Sequence, residues 1–307
     1  MRSTGYLDRV GGGRRIFTLL LFLQCAIVIT GGIVRITGSG LGCPTWPECA
    51  PGSYTPSPTQ SEDPLHIWIE FGNRLITFVL GFVALAALGY TLRLIPNLRI
   101  RLLALGQLLG IIGQAVLGGI TVLTGLHPTT VAAHLLLSII LISGALSLRQ
   151  RVYGRIPREI EVTRLTGLLS RALTGLGFIV IAMGTVVTGT GPHGGDKASE
   201  RFDFDIRTVA WLHADLVIAF LGLLAATMIA VRLGEREPAR TLLAKRLALV
   251  IAISLAQGAI GYIQYFTGVP EILVVFHLVG AVSVWLSLWN FYITGSVTSP
   301  PPTREES

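Results

Sequence analysis

Long apolar runs separated by short polar connections dominate this chain. Eight runs approach or exceed the roughly 20 residues that a helix needs to cross a bilayer. The runs lie near 16–36, 67–92, 101–123, 129–149, 168–189, 207–231, 245–266 and 272–294. The first run is too long for a signal peptide and lacks a small-residue cleavage site, so we expect a retained helix. The pattern predicts an all-α integral membrane protein with eight transmembrane helices.

Composition and charge agree with that interpretation and add a topology. Of the 307 residues, 51% are hydrophobic and only 13% are charged, whereas a soluble protein carries about a quarter charged residues. Most of the 24 basic residues fall on one side of the predicted membrane. The positive-inside rule then predicts that both termini are cytoplasmic, in a multi-pass protein of the bacterial cell membrane. The net charge of +7 therefore reflects topology, and the expected partner is the lipid bilayer rather than nucleic acid.

A segment of the chain occurs twice. Gln114–His134 reads QAVLGGITVLTGLHPTTVAAH, and Gln257–His277 reads QGAIGYIQYFTGVPEILVVFH. Aligned without a gap, the two segments share glutamine, glycine, Thr-Gly, valine and histidine at matched positions. Eight spans with such a repeat predict two pseudo-symmetric four-helix bundles with parallel orientation. We expect an N-terminal half, a cytoplasmic linker, a C-terminal half and a cytoplasmic tail at 1–150, 151–165, 166–295 and 296–307.

Three histidines lie near the outer ends of even-numbered spans: His134, His213 and His277. An ionisable side chain inside a membrane segment is costly and indicates a functional site. We expect His213 and His277 on adjacent helices of one bundle, where imidazoles can be axial ligands of haem iron. Simple packing is the other interpretation. Zinc or copper would need further ligands. The remaining histidines are expected at the aqueous surface: His66, His127 and His193.

In the first half, Asn73 occupies the position that His213 has in the second. Glu70 precedes Asn73 by three residues and shares its helix face. A carboxylate there can handle protons beside an incompletely ligated metal, or it can form an ordinary ion pair with Arg74. Arg74 and Arg35 lie at the outer mouths of the first two spans. They are either snorkelling anchors or clamps for the carboxylates of a ligand.

Two cysteines flank the sequence PTWPE in the first outer loop. Because the outer side is oxidising, a disulfide between Cys43 and Cys49 is expected. Two thiols alone do not make a zinc site. The bridge is most simply a structural staple, and a lid or a redox contact is the alternative.

These motifs resemble the haem A synthase family over nearly the whole chain. The resemblance rests on TGGIVRITGSGLGCPTWPEC (Thr30–Cys49), the IEFGNR segment, both TG…H units and the late histidines. It implies eight transmembrane helices in two four-helix bundles, with haem b as cofactor and haem O as substrate. The implied reaction is oxidation of the C8 methyl group of haem O to a formyl group, which supplies haem A for cytochrome oxidase.

The resemblance also assigns roles to residues. His213 and His277 would ligate the haem b iron, and His134 would ligate the iron of the substrate haem. Glu70 would accept or deliver protons, and Cys43 and Cys49 would match the outer cysteine pair of the family. By position and charge alone, Arg35 and Arg74 would hold haem propionates.

Two departures from the family pattern stand out. The commonest pattern has histidine where this chain has Asn73, and a second cysteine pair is absent from 190–206. A haem held by His134 alone would leave one iron face open. The rival functions are a b-type cytochrome that passes electrons without modifying its haem, and a transporter. A haem O synthase and a second copy of the chain are the open protein partners.

Overall fold

A computed structural model describes residues 4–58, 60–152 and 162–295, with side chains from residue 13 to 294. Residues 153–161 of the predicted linker and the whole tail at 296–307 lie outside the described residues. The helices are α1 (Thr4–Ile36), α2 (Pro64–Leu94), α3 (Leu98–Leu123), α4 (Pro128–Val152), α5 (Arg164–Thr190), α6 (Ile206–Gly234), α7 (Ala239–Phe266) and α8 (Glu271–Gly295).

All eight predicted spans are confirmed as helices that are long and apolar enough to cross a membrane. Several begin a few residues before the apolar run because a polar side chain caps the first turn. The side chains of Asp63, Asn97, Thr163 and Asp205 accept hydrogen bonds from backbone N–H groups at the starts of α2, α3, α5 and α6. Such caps satisfy donors that have no partner within the helix.

The helices close into two rings of four. In the first ring α1 packs on α2, α2 on α3, α3 on α4 and α4 on α1, and α5–α8 repeat that order. Four helices form the seam between the rings: α1, α4, α5 and α8. Within the described residues, the diagonal pairs α2/α4 and α6/α8 make no packing contact. The centre of each ring therefore separates the second helix of that ring from the fourth.

Hydrogen bonds between α4 and α8 fasten the seam. The Trp285 indole donates to Ser143 Oγ at 2.8 Å, and the Trp289 indole donates to Ser147 Oγ at 2.8 Å. A polar group in lipid must find its partner within the protein, so these bonds fix the two rings to each other. Gly32 of α1 adds a close approach by the side chain of Leu278.

The outer turns after α3 and α7 share one unusual backbone. Gly125 and Leu126 have φ of 63° and 61°, and Gly268 and Val269 have 78° and 60°. Positive φ is common for glycine and rare for leucine or valine. In both turns the amide of the second residue donates to a carbonyl five residues earlier, at 2.8 Å and 2.9 Å. The two TG motifs therefore end their helices in the same way.

Candidate functional site

Each of the three histidines within the helices faces a glycine of the preceding helix. A Cβ atom added to each glycine would lie 3.3 Å from the histidine Cε1 atom. The pairs are Gly118 with His134, Gly184 with His213, and Gly261 with His277. Glycine therefore provides the space in which each imidazole ring rests.

One ring nitrogen of each of these histidines has no hydrogen-bond partner in the protein. The Nδ1 atoms of His134, His213 and His277 are buried and make no hydrogen bond, although each residue as a whole is only half-buried. Buried polar atoms are nearly always satisfied, so an orphaned nitrogen needs an explanation. An iron bound at the other ring nitrogen, Nε2, would leave Nδ1 as an N–H donor without a partner, so the buried Nδ1 does not by itself indicate an iron. The Nε2 atoms make no hydrogen bond to any described residue and are not among the buried, unpartnered atoms. Together with the glycine beside each ring, they fit haem axial ligation.

The expected adjacency of the helices that carry His213 and His277 is wrong. These residues lie on α6 and α8, which are diagonal in the second ring and do not pack on each other within the described residues. A planar group held between diagonal helices would occupy the centre of the ring. His134 on α4 and Asn73 on α2 have the same diagonal relation in the first ring.

Matched glutamines fix the backbone of two of the histidines. Gln114 Nε2 donates to the carbonyl of His134 at 2.9 Å, and Gln257 Nε2 donates to the carbonyl of His277 at 2.6 Å. Gln114 also donates to Ser138 Oγ at 2.6 Å. Each of these bonds joins two consecutive helices and fixes the position of the helical turn that carries the histidine.

The side chain of Asn73 is hydrogen-bonded to a residue of α1. The hydroxyl of Thr30 donates to Asn73 Oδ1 at 2.7 Å. A carboxamide has no basic ring nitrogen, so this position offers a hydrogen-bonding group where His213 offers an imidazole. The two rings therefore differ on their second helix, where the first ring has an asparagine and the second ring has a histidine.

Glu70 is buried and faces the disulfide loop. Its Oε1 accepts from Arg74 Nη2 at 2.6 Å, and its Oε2 accepts from the backbone N–H of Cys43 at 2.6 Å. The ion pair that the sequence offered as one alternative is thus present. The carboxylate also links α2 to the loop that covers the outer side of the first ring.

All five N–H donors of Arg74 have acceptors in the protein. Besides Glu70, the guanidinium donates to the carbonyls of Cys43, Thr45 and Glu48 at 2.7 to 3.1 Å. A ligand carboxylate would have to replace one of these acceptors. The propionate role of Arg74 stays a prediction.

The predicted disulfide between Cys43 and Cys49 is confirmed. Its loop places Trp46 on α3, where a Cβ added to Gly119 would lie 2.6 Å from Trp46 Cε2. Gly119 follows Gly118, the glycine that faces His134. This contact was not predicted from the sequence, although the consecutive glycines at 118 and 119 are a signal of close packing.

Arg35 connects the two rings at the outer side. Its Nε donates to the carbonyl of His193 at 2.6 Å, and its Nη2 donates to the carbonyl of Thr188 at 2.9 Å. The His193 ring lies 2.9 Å from the Val269 carbonyl. The surface position expected for His193 is therefore wrong, because both its ring and its backbone bridge outer segments.

The remaining two histidines, His127 and His66, are not among the histidines that face a glycine of the preceding helix. His127 is 43% exposed and lies 3.5 Å from a carboxylate oxygen of Glu200, as expected for a surface residue. His66 is half-buried at the start of α2. In the part of the chain that the structure describes, no three histidine, cysteine or acidic residues cluster to hold a metal ion.

Comparison with known proteins agrees with the sequence motifs. The profile of the COX15-CtaA family, described as cytochrome oxidase assembly proteins, matches residues 14–193. Haem A synthases of Lysinibacillus sphaericus and Bacillus licheniformis are both 33% identical to the chain over 129 residues. These matches cover 41% of this chain and 40% and 41% of the two relatives. The haem A synthase of Brucella ovis is 26% identical over 80% of this chain and 81% of its own length. The chain therefore belongs to the COX15-CtaA family of cytochrome oxidase assembly proteins, the haem A synthase family.

Proposed function

We propose that this protein is a haem A synthase, a membrane oxidoreductase that converts the C8 methyl group of haem O to a formyl group. The observation that carries the proposal is the unequal pair of histidine cradles. One ring presents two imidazoles on diagonal helices, and the other presents one imidazole opposite an asparagine. Such a pair suits a permanently ligated haem in one ring and a reacting haem in the other. The names of the relatives support the same activity.

The second ring would hold haem b. His213 and His277 lie on diagonal helices, each beside a glycine and each with an Nε2 atom that makes no hydrogen bond to any described residue. A haem bound by two imidazoles supplies one-electron transfer. Gln257 holds the backbone of His277, so that ligand is fixed before a haem enters.

The first ring would bind haem O as substrate. His134 is the ligand, with its ring against Gly118 and its backbone held by Gln114. Across the ring, Asn73 is engaged by Thr30 and offers no imidazole. The substrate iron would therefore keep one face open, which suits oxygen chemistry.

Glu70 is the candidate proton carrier of the first ring. It lies one helical turn before Asn73 and is only 5% exposed. Its two oxygens connect Arg74 to the Cys43 amide, so the carboxylate is held in place without being exposed to water. A held carboxylate beside the substrate can take up protons released as the methyl group is oxidised.

The arginines would receive the haem propionates. Arg35 uses Nε and Nη2 for backbone carbonyls, and its Nη1 makes no hydrogen bond to any described residue. A guanidinium pairs well with a carboxylate. Arg35 is therefore the better placed of the two clamps, while Arg74 would have to exchange a loop carbonyl.

The two rings would be pseudo-symmetric halves with boundaries near 150 and 166, and with both termini in the cytoplasm. Three recurring contacts support the repeat: the glycine beside each histidine, the glutamine on the histidine carbonyl, and the TG turn with two positive φ angles. The basic residues support the orientation in the bacterial cell membrane.

The test is to express the chain in bacteria that supply haem O and to identify the extracted haems by chromatography and mass. Haem A, or its hydroxymethyl precursor, is the expected product. His134→Ala should remove it, and His127→Ala is the matched control outside the rings. Recovery of unchanged haem O together with a bound cytochrome spectrum would instead establish the electron-transferring b-type cytochrome.

A further inference from the structure

A groove opens at the seam on the side of the molecule away from the outer loops. It has a volume of about 450 Å³ and lies between α4, α5 and α8. Its principal lining residues are Arg171, Gly175, Phe178, Trp285, Trp289 and Tyr292. The groove is separate from the histidine cradles, which lie near the opposite ends of α4 and α8.

One wall of the groove is a continuous series of aromatic rings. Phe178 and Trp285 have ring centroids 6.0 Å apart, Trp285 and Trp289 5.8 Å, and Trp289 and Tyr292 4.9 Å. Both indole N–H groups donate to serines of α4. The rings are therefore fixed and turn apolar surface toward the groove. A straight, fixed apolar wall suits an alkyl chain.

The mouth of the groove carries an unpaired cation. Arg171 is exposed and makes no hydrogen bond or ion pair with any residue that the structure describes. It lies seven positions after Arg164, the first residue of α5, which is about 10 Å along the helix. The apolar run that is predicted to cross the membrane begins near residue 168, so Arg171 would lie close to the lipid headgroups. A guanidinium there, beside an apolar wall, is complementary to an anion that carries a hydrocarbon tail.

We propose that this groove binds one anionic phospholipid, with its phosphate on Arg171 and an acyl chain along the aromatic wall. Basic pockets between transmembrane helices are typical sites for anionic lipid headgroups. Because α4 belongs to the first ring and α5 and α8 to the second, the lipid would bridge the seam. The proposal concerns a surface outside the haem sites and does not depend on the reaction.

Two variants test the two parts of the site. Arg171→Gln removes the charge and keeps an unbranched polar side chain, although a shorter one. Gly175→Leu places a larger side chain in the groove, and the Cβ atom that it adds meets no atom within 4 Å. The purified full-length chain would be exchanged into detergent micelles with phosphatidylglycerol or phosphatidylcholine, and retained lipid would be counted by native mass spectrometry.

The wild type should retain one phosphatidylglycerol, and each variant should lower its retention by about fivefold or more. The matched controls are Arg164→Gln on the same helix and Gly222→Leu on α6, where an added Cβ also meets nothing within 4 Å. Both should behave as the wild type. Equal retention by all five proteins, or equal retention of phosphatidylcholine and phosphatidylglycerol, would overturn the proposal.

Discussion

The two rings are built from the same contacts and differ where chemistry would differ. Both set a histidine of their last helix against a glycine and hold its carbonyl with a glutamine. On the diagonal helix, one ring has His213 and the other has Asn73. Under the proposed function, this one difference at a matched position would separate a ring that ligates an iron on both faces from a ring that ligates it on one.

The rings also differ in their outer covers. The first is covered by a loop that the Cys43–Cys49 disulfide closes and that Glu70 and Arg74 hold through backbone groups. The segment at 191–205 over the second ring has no cysteine. Under the proposed function, the first ring would hold the reaction, which must be shielded from water, and the second would only transfer electrons and would have less need of a fixed cover.

A third difference lies deep in the rings. In the first, Gln24 donates to Gln107 at 3.1 Å, and Gln107 donates to the Leu141 carbonyl at 3.1 Å. The position in the repeat that matches Gln107 is Val250, which is fully buried in an apolar cluster. At this matched position, the first ring therefore has a buried polar contact where the second has an apolar side chain.

The largest effect should come from removing histidines in each ring in turn. His277→Ala should lower haem b content by at least about tenfold, because ligation supplies most of the affinity for an iron. His134→Ala should keep haem b and lose the product. Haem content per polypeptide, measured as the pyridine complex, separates the two. Loss of haem b from His134→Ala would assign the rings in reverse.

The next effect concerns the covered ring alone. Glu70→Gln keeps an oxygen for the Cys43 amide and removes the proton acceptor. We expect haem A formation to fall by about a hundredfold while the haem b spectrum stays unchanged. Product is measured by chromatography, and the disulfide is checked by thiol labelling of Cys43 and Cys49. Full activity in Glu70→Gln would leave the residue with a purely structural role.

Asn73→His makes the first ring resemble the second. A second imidazole opposite His134 should convert most of the bound haem O to a six-coordinate low-spin form, visible in the optical spectrum. Asn73→Gln, which keeps the carboxamide, is the control and should not change the spin state. An unchanged spectrum in Asn73→His would mean that α2 and α4 do not face one another across a haem.

A smaller effect is expected at the cradles. Gly118→Ala places a methyl group 3.3 Å from His134 Cε1, so the ring must move by a few tenths of an ångström. Haem A formation should fall by about threefold to tenfold. Gly113→Ala on the same helix is the control, because its Cβ meets no atom within 4 Å. Equal rates for both variants would show that the glycine is not needed for space.

The fold was largely predictable because lipid allows few choices. Every apolar run became a helix, and only the ends moved, since capping groups such as Asp63 and Thr163 start helices ahead of the apolar residues. The order of helices around each ring was not predictable. Chain order alone does not tell whether the second and fourth helices of a set meet, which is why α6 and α8 were wrongly expected to be adjacent.

The residues of the candidate site that belong to the sequence repeat could be predicted from the sequence. His134, His277 and their glutamines stand at matched positions, and the gapless alignment also contains Gly118 and Gly261. Contacts between distant segments have no comparable pattern in the sequence. The bond from Thr30 to Asn73 and the bridge from Arg35 to His193 span 43 and 158 positions, so only the packed structure brings these residues together.

The central claim is that one ring ligates haem through two histidines and the other through His134 alone. The most direct test is electron paramagnetic resonance of the purified chain loaded with haem O. We expect a single low-spin signal of the type given by two imidazoles. It should persist in His134→Ala and vanish in His277→Ala. Two such signals of equal intensity in the wild type would contradict the account.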